Sequence, residues 1–111
     1  MRRIYKTSFH AAHHIKDHPT CGKTHGHTYR LIVKVPGDEN VFVDFHTIAK
    51  TVDHVVETYD HTDLGNMTCE RLAREILEQL KFRLAKPEQN PQELGIEIEL
   101  YETDHFGVEL L

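Results

Sequence analysis

Two histidines separated by one residue, His25 and His27, are the strongest chemical signal in this sequence. If residues 25–35 form a strand, both imidazoles point to the same side of it, about 7 Å apart at Cα. His13 ends an earlier alternating segment on the same parity as its apolar residues. Three imidazoles that meet in this way would form a metal site with a free fourth position, which is typical of a catalytic zinc.

The histidine pattern alone leaves two interpretations open, because a His-X-His pair in a strand also occurs as an ordinary solvated pair. The chain holds 10 histidines in 111 residues, and they concentrate between His10 and His27 rather than in a terminal run. Cys21 precedes the pair on a glycine-containing loop, where a metal and Lys23 would favour the thiolate. Cys21 is therefore either a base or nucleophile beside the metal, or a fourth ligand that closes a structural site.

Two acidic positions also suggest chemistry. Glu102 continues the parity of Ile96, Ile98 and Leu100, and a carboxylate that faces the interior needs a partner. The paired N–H donors of a guanidine-like heterocycle edge would supply one; alternatively, the strand has ended and Glu102 faces solvent. In the adjacent pair Asp60-His61 the carboxylate can orient the ring for proton transfer, although such pairs are common by chance.

The elements that must position these residues follow from two periodicities. Alternation predicts strands over residues 3–13, 25–35 and 96–100 and a short one from Gly107, with a turn over residues 36–40. Spacings of three and four predict a helix from Phe45, N-capped by Asp44, and another from near Thr68 to before Pro87. Residues 60–67 are predicted to be a loop. The order predicts an α+β fold, a four-stranded antiparallel sheet (β-β-α-α-β-β) with two helices packed on one face.

Length and charge narrow the class of protein. A chain of 111 residues is expected to form a single domain over residues 1–111. Its net charge of -5, from 13 basic and 18 acidic residues, argues against a nucleic-acid or membrane partner. No stretch has the apolar length of a signal peptide or membrane span, so we expect a cytoplasmic protein in which Cys21 and Cys69 are reduced.

Taken together, the motifs resemble the 6-pyruvoyl-tetrahydropterin synthase and 6-carboxytetrahydropterin synthase family of the tunnelling fold. In order along the chain they are Phe9-His10-Ala11-Ala12-His13, Cys21-X-X-X-His25-Gly26-His27, Val43-Asp44-Phe45, Asp60-His61, Thr68-X-Glu70 and Tyr101-Glu102-Thr103. The resemblance implies that Zn²⁺ is held by His13, His25 and His27, and that protons are moved by Cys21, Asp60 and His61. It also implies that Glu102 anchors the pterin ring, with Thr68 and Glu70 lining the pocket.

The resemblance further implies homo-oligomers, trimers stacked as hexamers, with sites at subunit interfaces. The three residues between Cys21 and His25 resemble the carboxytetrahydropterin branch. Its members convert 7,8-dihydroneopterin triphosphate to 6-carboxy-5,6,7,8-tetrahydropterin, releasing acetaldehyde and triphosphate, on the path to the 7-deazaguanine nucleosides queuosine and archaeosine. Lys23 and Arg30 are candidates to meet the triphosphate.

This chain departs from the family pattern in two places: the connection from His61 to Thr68 is short, and His10 stands where an acidic residue is frequent. Two alternatives therefore stay open. One is a pyruvoyl-type synthase, which eliminates triphosphate and keeps all side-chain carbons. The other is a zinc- or pterin-binding protein without turnover.

Overall fold

Two long antiparallel strands form the centre of the fold and follow the predicted alternation. The computed structural model describes residues 1–37 and 43–111, in which β1 runs from Arg2 to His14 and β2 from His25 to Pro36. The strands pair so that His13 lies opposite His25 and Ala11 lies opposite His27. The histidines of the two strands are thereby brought to one end of the sheet. Most of the turn predicted over residues 36–40 lies outside the described residues.

Both predicted helices are present, and each begins at a capping side chain. Helix α1 spans Phe45–Glu57, and the Asp44 carboxylate accepts a hydrogen bond from the backbone N–H of Thr47 at 2.6 Å. Helix α2 spans Cys69–Leu84, and the Thr68 hydroxyl accepts one from the backbone N–H of Arg71 at 3.1 Å. No helix in the described ranges is long and apolar enough to cross a membrane.

The core lies between one face of the sheet and the two helices, as the alternation predicts. Residues of odd number in β1 and β2 point into it, because successive side chains of a strand face opposite sides. Its largest buried apolar side chains come from both strands and both helices: Phe9, Tyr29, Leu31, Ile48, Leu72, Ile76, Leu80, Ile96, Ile98 and Leu100. His13, at the end of β1, shares this parity and is fully buried.

The sheet has five strands, so the prediction of four antiparallel strands was wrong in this detail. Strand β3, Thr62–Asn66, lies in the predicted loop and pairs in parallel with the end of β1. With β4 (Glu97–Tyr101) and β5 (Gly107–Leu110), the strand order is β3-β1-β2-β4-β5. Sequence alternation could not reveal β3, because an edge strand with few buried side chains is held mainly by backbone hydrogen bonds.

Candidate metal and substrate site

Three imidazoles converge where β1 and β2 end. The ring centroids of His13, His25 and His27 lie 4.6, 4.8 and 4.9 Å apart, and one nitrogen from each ring lies within 4.8 Å of the others. A tetrahedral zinc with bonds of about 2.0–2.1 Å needs ligand nitrogens about 3.3 Å apart, which small side-chain rotations would supply. The structure thus brings the three predicted ligands together.

Backbone carbonyls fix the orientation of two of these rings. His13 Nδ1 lies 2.7 Å from the carbonyl oxygen of Met67, and His25 Nδ1 lies 2.7 Å from that of Lys23. Because a carbonyl oxygen only accepts, each Nδ1 must carry the proton, which leaves each Nε2 with a free lone pair. Metal-bound histidines are commonly held by such carbonyl partners.

The remaining ring nitrogens show that the cluster fits a metal ion. The Nε2 atoms of His13 and His27 are buried without a hydrogen bond, which is costly for a polar atom. Burial lowers the pKa of His27, His13 and His25 lower it further, and the Glu102 carboxylate opposes them. The neutral imidazole favoured here is the form that binds a metal. Three converging imidazoles are a suitable donor set for zinc.

Glu102 lies at the edge of this cluster. Strand β4 ends at Tyr101, and the backbone N–H of Glu102 donates to the carbonyl of Phe106 at 2.9 Å, closing the turn into β5. The strand has therefore ended, yet the carboxylate turns inward. Its Oε1 lies 3.1 Å from Nε2 of His13 and 3.7 Å from Nε2 of His27, without the geometry of a hydrogen bond. A carboxylate here can face a substrate that reaches the metal.

A buried hydroxyl lies beside the same cluster. The ring of Tyr29 is 6.1 Å from that of His13 and 5.7 Å from that of His27, centroid to centroid. Its Oη is buried without a hydrogen-bond partner. Burial raises the pKa of Tyr29 well above its ordinary value, and Glu102 and Cys69 add to the shift, so the hydroxyl keeps its proton. Sequence reasoning placed Tyr29 on the apolar face of β2 and assigned its hydroxyl no role.

The two other predicted pocket residues lie at the start of α2. The Thr68 hydroxyl is engaged as the helix cap, whereas Glu70 lines a small cavity of about 80 Å³ together with Glu102 and Cys69. Burial raises the pKa of Cys69 to about 12, so this thiol stays neutral, as expected for a side chain that fills space. Glu70 and Glu102 therefore line the same cavity, whereas the Thr68 hydroxyl caps the start of α2.

Asp60 and His61 form a second group just beyond α1. Asp60 Oδ2 lies 2.9 Å from His61 Nδ1, and Oδ1 accepts the backbone N–H of His10 at 2.9 Å. That backbone hydrogen bond, with a further contribution from His61, lowers the pKa of Asp60 and keeps it ionised. His61 has a φ of 58°, a left-handed conformation that costs free energy in a residue other than glycine and is often found at functional sites.

The Asp60-His61 pair and the histidine cluster occupy different faces of the sheet. The rings of His61 and His10 lie 5.6 Å apart, and His10 Nδ1 lies 3.0 Å from the hydroxyl of Thr28. His10 is exposed and even-numbered on β1, whereas His13 is buried on the opposite side. A cavity of about 500 Å³ opens beside His10, Thr28 and His61, and His27 of the cluster also lines it. The pair and the cluster therefore point away from each other on β1, but His61 and His27 border the same cavity.

The sequence patterns predict no role in the site for His10 or Thr28. The signal that could have found their contact is their shared even parity on two paired strands, where they lie directly opposite each other.

Cys21 lies on the loop between β1 and β2. Its carbonyl accepts the backbone N–H of Ile15 at 2.7 Å, its own N–H donates to His18 Nδ1 at 2.9 Å, and its sulfur lies 3.7 Å from the Thr20 hydroxyl. In the part of the chain that the structure describes, the cluster of possible ligand atoms contains the three histidines and not Cys21. This arrangement favours a site with an open fourth position over one that Cys21 closes.

Lys23 and Arg30, the two candidates to meet the triphosphate, lie at different distances from the histidine cluster. The backbone carbonyl of Lys23 holds His25, so Lys23 is tied to the histidine cluster. Arg30 forms an ion pair with Asp104 and lines a cavity of about 580 Å³ together with Lys6, on the sheet face opposite the helices. Only Lys23 therefore lies next to the cluster.

Comparisons with known proteins identify the family of this chain and two relatives whose names both refer to pterins. The family model of 6-pyruvoyl tetrahydropterin synthase matches residues 3–110. A dihydroneopterin monophosphate aldolase of Pyrococcus furiosus is 36% identical over 98% of this chain and 96% of its own length. A protein of Archaeoglobus fulgidus, provisionally named 6-carboxy-5,6,7,8-tetrahydropterin synthase, is 40% identical, but the match covers 53% of this chain and 54%, about half, of that protein.

The solved structures agree on the fold. The 6-pyruvoyl tetrahydropterin synthase of Caenorhabditis elegans superposes with a TM-score of 0.81 at 24% identity, over 99% of this chain and 94% of that one. At this identity the likeness concerns the fold alone.

Proposed function

The chain belongs to the 6-pyruvoyl tetrahydropterin synthase family, and on that premise we propose that it is a zinc-dependent lyase acting on a phosphorylated 7,8-dihydroneopterin. The proposed reaction converts 7,8-dihydroneopterin triphosphate and water to 6-carboxy-5,6,7,8-tetrahydropterin, acetaldehyde and triphosphate. The observation that carries the proposal is the convergence of His13, His25 and His27 beside an inward carboxylate, Glu102.

Each group has a distinct task in this proposal. The histidines would hold zinc, which would supply Lewis acidity toward the side-chain oxygens of the substrate. Glu102 accepts two N–H groups of the pterin ring and so fixes which end of the substrate faces the metal site. Cys21 and the Asp60-His61 pair move protons on the side-chain carbons, and the ionised Asp60 holds the His61 ring in position.

A complete site in this proposal combines two copies of the chain. The Asp60-His61 pair opens onto one face of the sheet, while the histidine cluster, with His13 buried and His25 and His27 half-buried, is built from side chains of the other. A homo-oligomer, a trimer or a hexamer, would let the pair of one copy serve the cluster of its neighbour. The domain formed by residues 1–111 is the repeating unit of this assembly.

A second candidate function is favoured by a relative that matches nearly the whole chain. That protein is named an aldolase of dihydroneopterin monophosphate. Aldol cleavage of that substrate breaks the bond between side-chain carbons 1′ and 2′ and gives 6-hydroxymethyl-7,8-dihydropterin and glycolaldehyde phosphate. The carboxypterin product also retains only carbon 1′, so both candidates break the same bond. A pyruvoyl-type synthase would leave this bond intact.

The first prediction concerns the products. Zinc-loaded protein is incubated separately with 7,8-dihydroneopterin triphosphate and monophosphate, and the pterins and aldehydes are identified by mass spectrometry. We expect acetaldehyde and a carboxypterin from the triphosphate. Glycolaldehyde phosphate from the monophosphate would instead establish the aldolase. A pyruvoyl pterin from the triphosphate would establish the pyruvoyl-type synthase. Unchanged substrate in both incubations would contradict a lyase of any kind and leave a binding protein.

The second prediction separates the two interpretations of Cys21. A catalytic Cys21 predicts that Cys21→Ser keeps one zinc per chain but lowers kcat by at least about 100-fold, the usual scale of a lost proton-transfer group. The measurements are zinc content by atomic emission and single-turnover kinetics. His54→Ala, on the exposed surface of α1, is the control and is expected to keep both zinc and kcat unchanged. A sharp loss of zinc from Cys21→Ser would show instead that Cys21 closes a structural site.

A further inference from the structure

The imidazole of His18 is turned back onto the loop that carries Cys21. Its Nδ1 lies 2.9 Å from the backbone nitrogen of Cys21 and 3.2 Å from that of Thr20, and each N–H donates to it. Because a backbone N–H only donates, Nδ1 must carry the lone pair, so the ring is neutral with its proton on Nε2. His18 therefore accepts two backbone hydrogen bonds, one of which comes from the proposed proton-transfer residue.

The backbone of the same loop closes around this contact. Cys21 accepts the N–H of Ile15 at 2.7 Å, His18 donates to the carbonyl of Ile15 at 3.2 Å, and Gly22 donates to the carbonyl of His18 at 3.1 Å. A side chain at Gly22 would put its Cβ 2.7 Å from that His18 oxygen, so the close approach requires glycine. Both backbone polar groups of Cys21 are thus bonded, and of the two only the N–H depends on a side chain.

The pattern is that of an Asx turn, made here by a histidine. In such a turn the side-chain oxygen of Asn or Asp accepts backbone N–H groups that follow it along the chain. Nδ1 of histidine and Oδ1 of asparagine are both attached to Cγ, so the two atoms can reach the same backbone groups. His18→Asn should therefore preserve the contact with Cys21, whereas His18→Ala removes it.

The contact restricts where the Cys21 side chain can point. Because both backbone groups of Cys21 are bonded, its Cα–Cβ bond keeps one direction, and its half-buried sulfur lies 3.7 Å from the Thr20 hydroxyl. We propose that His18 is a positioning residue, which holds Cys21 in the orientation that proton transfer requires. The inference rests on the proposed function, in which Cys21 moves a proton on the substrate. A displacement of about 1 Å in such a group can cost about 100-fold in rate.

The test compares His18→Ala with His18→Asn in the zinc-loaded protein. Hydrogen exchange of the Cys21 backbone amide, followed by NMR, reports the hydrogen bond directly, and kinetics with the dihydroneopterin phosphate that the wild type cleaves report its effect. We expect His18→Ala to speed this exchange and to lower kcat, each by at least about tenfold, with KM and zinc content little changed. His18→Asn should restore slow exchange and a kcat near that of the wild type, because Oδ1 replaces Nδ1.

Lys16→Ala is the matched control. Lys16 lies exposed on the same loop, and its backbone N–H, not its side chain, is bonded to Asn66 at 3.0 Å, so exchange and kcat should both stay at wild-type values. Unchanged exchange at Cys21 in His18→Ala would overturn the inference, and so would an equal loss of kcat in the alanine and asparagine variants. A wild-type protein that turns over neither dihydroneopterin phosphate would contradict the proposed function, while the exchange rates would still decide whether His18 holds Cys21.

Discussion

His27→Ala is expected to lose bound zinc and with it all measurable lyase activity. The side chain supplies one of three converging nitrogens, and its Nε2 has no hydrogen bond within the protein. Removing even an outer partner of a ligand costs about 10–100-fold in metal affinity, so removing a ligand should cost more. The measurements are zinc affinity by competition with a chromogenic chelator, and turnover before and after removal of the metal.

His27 is a better choice for this test than His13, because His13 is fully buried and bonded to the Met67 carbonyl. Loss of function in a His13 variant could therefore reflect misfolding. His54→Ala, on the exposed surface of α1, is the matched control and should keep both zinc and activity. A folded His27→Ala protein that retains stoichiometric zinc would contradict the proposed metal site.

Mixing two inactive variants is expected to restore activity. The proposal that each site combines two copies predicts that His27→Ala damages the metal cluster and His61→Ala damages the proton-transfer pair. In a mixed oligomer, about one quarter of the sites would join an intact cluster from one copy to an intact pair from its neighbour. We therefore expect roughly a quarter of the wild-type activity from an equal mixture, although each variant alone is inactive.

The mixture is prepared by co-expression with two tags, and mixed oligomers are isolated by both tags and counted by native mass spectrometry. The matched control mixes His27→Ala with His25→Ala, whose defects lie in the same cluster, so no combination of copies restores a site. Recovery in the first mixture and none in the control supports the interface. Mixed oligomers without recovery, or a protein that stays monomeric in its active form, would refute it.

The fold could be predicted from the sequence wherever the spacing of apolar side chains reflects which face of an element is buried. Tyr29, Leu31 and Val33 alternate because β2 has one face on the core, and Val52 and Val56 recur at helical spacing because α1 buries one stripe. β3 could not be predicted in this way. Its pairing with β1 is made by backbone groups, which every sequence carries, so its side chains leave no pattern.

The candidate site was predictable to the extent that it depends on parity along strands. His13, His25 and His27 share a face, so their convergence followed from strand pairing alone. The location of the Asp60-His61 pair depends on the turn after α1 and the left-handed conformation of His61, which no local pattern specifies. The position of the Tyr29 hydroxyl beside the cluster could not be predicted either, because a tyrosine on the core face of a strand fits the pattern of an apolar ring.

In the proposed metal site, the hydrogen bond from His13 to Met67 would link retention of the ion to the edge of the sheet. Met67 follows β3, and its backbone N–H donates to the carbonyl of His14 at 3.1 Å, so both polar groups of this peptide segment hold the end of β1. β3 has a neighbour on one side only, and we expect such an edge strand to open before the central strands do. Each opening would free the His13 ring to rotate. The residence time of an ion would then follow local unfolding of this edge, the slow motion that amide hydrogen exchange reports.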